Sequence, residues 1–78
     1  MHAVLLGKVR RNGKSKAGKS YDFTTCFVSY SAFGVEGARV SEVLVDSRMI
    51  QFDALKIGAH YDFDYDHNGK LVNVFIED

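Results

Sequence analysis

Tyr21-Asp22-Phe23-Thr24-Thr25-Cys26-Phe27-Val28-Ser29-Tyr30 is the stretch on which the fold turns. β-branched and aromatic types fill it and no glycine or proline interrupts it, so it reads as a strand. Alternation puts Tyr21, Phe23, Thr25 and Phe27 on one face and Asp22, Thr24, Cys26, Val28 and Tyr30 on the other. A half-buried strand shows bulk on one face; this one carries it on both, so the second face packs or binds something. Cys26, on the Val28/Tyr30 face, reads as a small core residue.

The same stretch decides the motif that precedes it. Gly13-Lys14-Ser15-Lys16-Ala17-Gly18-Lys19-Ser20 matches the phosphate-loop pattern G-x-x-x-x-G-K-[ST] letter for letter. That loop works because its amides wrap a phosphate at the start of a helix. Here strand-forming sequence follows instead, and a chain of 78 residues cannot supply the large parallel sheet of a nucleotide hydrolase. Nucleotide hydrolysis is rejected.

Working outward, Ala3 to Arg10 reads as a first strand that turns polar toward its end, and residues 38–46 as a third, around Val40, Val43, Leu44 and Val45. Asp46 or Ser47 can cap a short helix of about two turns over Arg48 to Leu55, with Met49, Phe52 and Leu55 on one side and Gly58 as its stop. His60 to Asp66 alternates aromatics with acids as a fourth strand, Asn68-Gly69 suits a tight hairpin turn, and Leu71 to Ile76 makes a fifth. The order predicts one all-β domain over residues 1–78, a five-stranded OB-like Greek-key barrel with a short helix between strands three and four. An SH3-like barrel is the nearest rival.

Length and composition narrow the function. There is too little interior for an enzyme cleft of ordinary depth. The single cysteine excludes an intramolecular disulfide and any multi-cysteine zinc site, which fits a reducing compartment. No apolar run approaches a membrane span and the start lacks signal-peptide features, so a soluble cytoplasmic protein is expected. The formal charge is zero, but residues 1–40 hold seven Lys/Arg against two acids, and residues 41–78 three against eight. Such a split concentrates positive potential on one part of the fold.

That positive part is the segment between the first two strands. Arg10, Arg11, Lys14, Lys16 and Lys19 run directly into Tyr21, Phe23 and Phe27. Cations that reach phosphates, followed by rings that stack on bases, are what a single-stranded nucleic-acid binder needs. In the alternative reading the rings form a protein or dimer interface and the cations are merely solvated. No catalytic set assembles from Ser, His, Asp and Cys, and neither a cofactor nor a small-molecule substrate is indicated. His2, His60 and His67 are scattered, with no Cys or carboxylate at metal-ligand spacing. Asp62, Asp64 and Asp66 have D-x-D-x-D spacing, but on a strand they form a solvated ladder rather than a curved calcium loop. No metal site is expected.

From Arg11 to Tyr21 the chain resembles the single-stranded DNA-binding proteins of filamentous bacteriophages, the gene V protein type, which carry a comparable R-x-G-x-S-x-x-G-K-x-Y run. Cys26, Val43-Leu44-Val45 and Ile57-Gly58-Ala59-His60-Tyr61 extend the likeness. The resemblance implies an OB-like barrel that acts as a homodimer and coats single-stranded DNA without reading its sequence, during replication of a phage, plasmid or other mobile element in a bacterial cytoplasm. It implies that Arg11 and Lys16 meet phosphates and that Tyr21, Phe23 and Phe27 meet bases. RNA binding by the same surface is the close variant. The chain departs from the family at Asp46, where a DNA-contacting lysine is the pattern, in the short His67-Asn68-Gly69 hairpin, and in the helix expected over 48–55.

Overall fold

The computed structural model describes residues 1–77. Five strands pair antiparallel in one sheet: β1 (His2–Lys14), β2 (Ser20–Tyr30), β3 (Arg39–Asp46), β4 (His60–Tyr65) and β5 (Leu71–Glu77), in the order β3-β2-β1-β4-β5. The all-β expectation and its five strands are observed. Among the described residues no ladder joins the edge strands β3 and β5, so hydrogen bonding does not close the sheet into a barrel.

β1 serves two partners, which is why it runs for 13 residues. His2 to Val4 pair with β4, and Val4 to Lys14 pair with β2. The register with β2 shifts between Leu5 and Gly7, leaving Leu6 as a bulge. A bulge bends its strand and resets which side chains face inward. Before it Ala3 and Leu5 are buried; after it Lys8 stands opposite the buried Cys26.

The core gathers Ala3, Leu5, Cys26, Val28, Val43, Val45, Leu55, Tyr61 and Phe63, with Leu71 and Val74 of β5 packed against it. Both edge strands therefore contribute to one interior, which a flat sheet could not arrange. Cys26 is fully buried and burial pushes its thiol up to about 11, as befits a packing residue. Among the described residues, Thr24 is the buried polar side chain left unpaired. Its Oγ1 is buried without a hydrogen-bond partner, a desolvation cost that a methyl group of the same shape does not carry. Thr24→Val is therefore expected to raise stability by about 1 kcal/mol, read as a higher urea midpoint at unchanged slope; a lower midpoint would show that the hydroxyl is satisfied in solution.

Two local expectations are corrected. The helix over 48–55 is absent: a turn at 46–50 leads into Gln51, which is extended, and then a single 3-10 turn, Phe52–Ala54. Met49, Phe52 and Leu55 are spaced by three, the period of a 3-10 rather than an α-helix. Tertiary partners also claim the backbone groups an α-helix would use. Lys8 Nζ donates to the carbonyls of Phe52 and Leu55, both at 2.7 Å, and lies 4.0 Å over the Phe52 ring. The Lys56 N–H donates to the buried Tyr61 hydroxyl at 2.8 Å.

The second correction concerns the basic segment. The first strand does not end at Arg10: β1 and β2 stay paired out to Lys14↔Ser20, so the segment is a β-ribbon. Only residues 15–19 turn, closed by Ser15 N–H to Lys19 O at 2.8 Å and Gly18 N–H to Ser15 O at 2.9 Å. The phosphate-loop pattern is thus spent on a hairpin turn, with a strand after it. The ribbon contributes to an elongated envelope of 44 × 27 × 19 Å.

At the other hairpin, Asp66 Oδ1 accepts from the N–H groups of Asn68 and Lys70, and Gly69 takes φ +80°, the left-handed value that favours glycine. The acidic ladder of β4 is therefore not purely solvated: Asp66 shapes this turn and Asp62 pairs with the amino terminus at 3.0 Å. No helix among the described residues is long and apolar enough to cross a membrane.

Candidate nucleic-acid interface

Strand pairing sorts the eight candidate residues by face. Arg11 pairs with Phe23 and Gly13 with Tyr21, while Gly7 pairs with Phe27. These residues share the sheet face opposite Thr24, Cys26 and Val28, which enter the core. None of Tyr21, Phe23 and Phe27 belongs to the core cluster. Tyr21 is 43% exposed, Phe27 37%, and Phe23 is half-buried, with its ring centroid 6.0 Å from that of Tyr21.

Glycines opposite the rings seat them. A Cβ at Gly13 would lie 3.2 Å from the Tyr21 hydroxyl, and one at Gly7 would lie 3.6 Å from the Phe27 ring. Gly13 also holds φ +149°, a backbone state that side-chain-bearing residues rarely adopt. Tyr21 and Phe27 thus lean across bare patches of β1, whereas Phe23 faces Arg11. Thr25 lies between Phe23 and Phe27 on the same face and is buried, so the rings flank a closed floor rather than a gap.

The cations divide. Arg11 stands beside Phe23 on the ring face, and Lys16 and Lys19 occupy the turn at the ribbon tip. Lys14, paired with Ser20, belongs to the opposite face of the ribbon together with Arg10. Arg10, expected to meet phosphates, is paired with an acid of β2 in this structure. Its Nε and a terminal nitrogen grip both oxygens of Asp22, at 3.0 and 2.7 Å. That bond, with a second from the Ser47 hydroxyl, holds the Asp22 carboxyl below its ordinary value. Arg11 therefore shares the face of the rings, whereas Arg10 and Lys14 lie on the other face of the ribbon.

Two further cations escaped the sequence reading. Arg48 donates to both oxygens of Asp46, the residue opposite Phe23 on β3, and its hydrogen bonds bring that carboxyl down to about 2. A cleft of about 760 Å³ runs from Tyr21 and Phe23 to Arg48 and Phe52. A second depression, of about 530 Å³, lies between Leu44 and Arg48 on one side and Lys70 and Leu71 on the other. Arg48 and Lys70 are separated from the basic ribbon by dozens of residues, so no charge run announces them. On the ring face Glu42, opposite Phe27, is the acid without a salt-bridge partner among the described residues.

No protein-family model, curated protein or solved structure matches the chain.

Proposed function

We propose that the chain is a sequence-nonspecific binding protein for single-stranded nucleic acid, DNA in the first instance, and not an enzyme. The observation that carries this reading is the row of Tyr21, Phe23 and Phe27 on the sheet face away from the core, with Arg11 beside it and a lysine-bearing turn at its end. Bases would stack on the rings, while Arg11, Lys16 and Lys19, with Lys14 reaching around the ribbon edge, would neutralise phosphates. The depression beside Lys70 would continue the path across β3. We take the open sheet as an OB-type barrel, the architecture in which strands two and three and the loops at their ends bind oligonucleotides. The phage-type resemblance adds a homodimer that coats DNA during phage or mobile-element replication in the bacterial cytoplasm.

Fluorescence anisotropy of a labelled oligo-dT at several salt concentrations tests the reading. With about four phosphates neutralised, the slope of log affinity against log salt should be near −3. A duplex of equal length should bind more weakly, and an oligo-rU of the same length measures the preference between sugars. Affinity that stays flat with salt would refute the mechanism. Leu6, Val40 and Leu44 are also exposed; if alanine at Tyr21 alters the oligomeric state while oligo-dT binding is untouched, that face is a protein interface instead.

A further inference from the structure

His2, Asp62 and Glu77 come from three strands and from opposite ends of the chain. Even so, a ring nitrogen of His2 and one carboxylate oxygen from each acid all lie within 4.8 Å of one another. The register explains the meeting. His2 stands directly opposite Asp62 across β1 and β4, and Glu77 is opposite His60, the next residue of β4 on that face. Their in-register neighbours Ala3, Tyr61 and Phe63 turn into the core, so the three ligating groups project together from the outer face. His2 Nδ1 already meets Glu77 Oε1. Asp62 engages the amino terminus through Oδ1 at 3.0 Å, and its Oδ2 has no protein partner among the described residues.

We propose that His2, Asp62 and Glu77 form a binding site for a divalent transition-metal ion of the zinc class. A neutral imidazole and two carboxylates offer one nitrogen and two oxygens with a combined charge that matches a dication. Such a mixed set suits zinc, whereas calcium and magnesium favour oxygen throughout. Zinc bonds of roughly 2.0–2.2 Å set neighbouring donors roughly 3.4 Å apart, so the His2–Glu77 contact opens and Asp62 closes in, movements that side-chain rotation can deliver. His2 is 75% exposed at its side chain, and Asp62 and Glu77 are about one-third exposed. The strands hold the three Cα positions, so the framework is rigid while the ligands adjust. Three protein ligands leave a position for water, and the amino terminus would yield its hold on Asp62. A bound ion would tie the start of β1 to the end of β5 through β4.

The test uses untagged full-length protein, zinc chloride and isothermal titration calorimetry at pH 7.5, with cobalt absorption as a coordination readout. One equivalent should bind in the micromolar range. His2→Ala and Glu77→Gln should each weaken binding about tenfold or more, while His67→Ala, in the far hairpin, should bind as the parent does. Saturating zinc should raise the melting temperature of the parent by about 5 °C or more and raise that of His2→Ala by clearly less. The substituted groups are exposed, and melts without metal verify that each variant folds. Zinc affinity unchanged in His2→Ala, or no saturable binding below millimolar zinc, overturns the assignment. Neither result bears on nucleic-acid binding, which uses a different part of the sheet.

Discussion

Replacing Tyr21 and Phe27 together by alanine is expected to weaken oligo-dT binding by roughly 30-fold or more, since each stacked base contributes about 1–3 kcal/mol. The pair is chosen because the two rings end the row, are its exposed members, and lie outside the core cluster. Their packing lies outside the core, across Gly13 and Gly7 and, for Tyr21, against Phe23, a cross-strand contribution of about 0.2–1 kcal/mol per pair. The variant should therefore stay folded, with an unchanged circular-dichroism spectrum and a modestly lower melting temperature, while anisotropy shows the loss of affinity. Single substitutions should each give a smaller loss, and Tyr21→Phe should retain most binding because the stacking face survives. An affinity within about twofold of the parent in the double variant would mean that bases do not meet this face.

Phe63→Ala is expected to cost about 3–5 kcal/mol of stability, the largest effect of any single change considered. Phe63 is fully buried between its β4 neighbour Tyr61, 6.2 Å away between ring centroids, and the rest of the core. A chain of this length has roughly 4–12 kcal/mol of stability in total. The variant should thus be largely unfolded at 37 °C and show a much reduced urea midpoint at 10 °C. Phe33→Ala is the matched control. Phe33 is wholly exposed, at 106%, so its removal should change stability by less than about 0.5 kcal/mol. Equal losses at the two sites would place the core elsewhere.

Strand content and face assignment were legible because both are local. Alternation in Tyr61-Asp62-Phe63 puts aromatics inward wherever the strand is placed, and Thr24-Thr25-Cys26-Phe27-Val28 sends Cys26 and Val28 one way and Phe27 the other. The turn at Asn68-Gly69 was legible for the same reason, since Gly69 acts on its own backbone, whereas Asp66, read as a solvated strand acid, caps that turn. The helix was misread because its spacing is compatible with two helical periods, and Lys8, 44 residues before Phe52, takes the carbonyls that decide between them.

The chain's own alphabet settled an all-β domain, the strands, and which rings stand away from the interior, since each follows from a residue's immediate neighbours and the two-residue repeat of extended backbone. Tertiary structure alone decided the chemistry of the charged groups. Arg10 is paired because antiparallel pairing carries Asp22 beside it, and Asp46 is paired with Arg48 across a turn. His2 meets Asp62 and Glu77 because β4 lies between the strands that bear the other two. A side chain's charge is written in the sequence; the partner that balances it is set by register between strands far apart in the chain, which local periodicity does not encode.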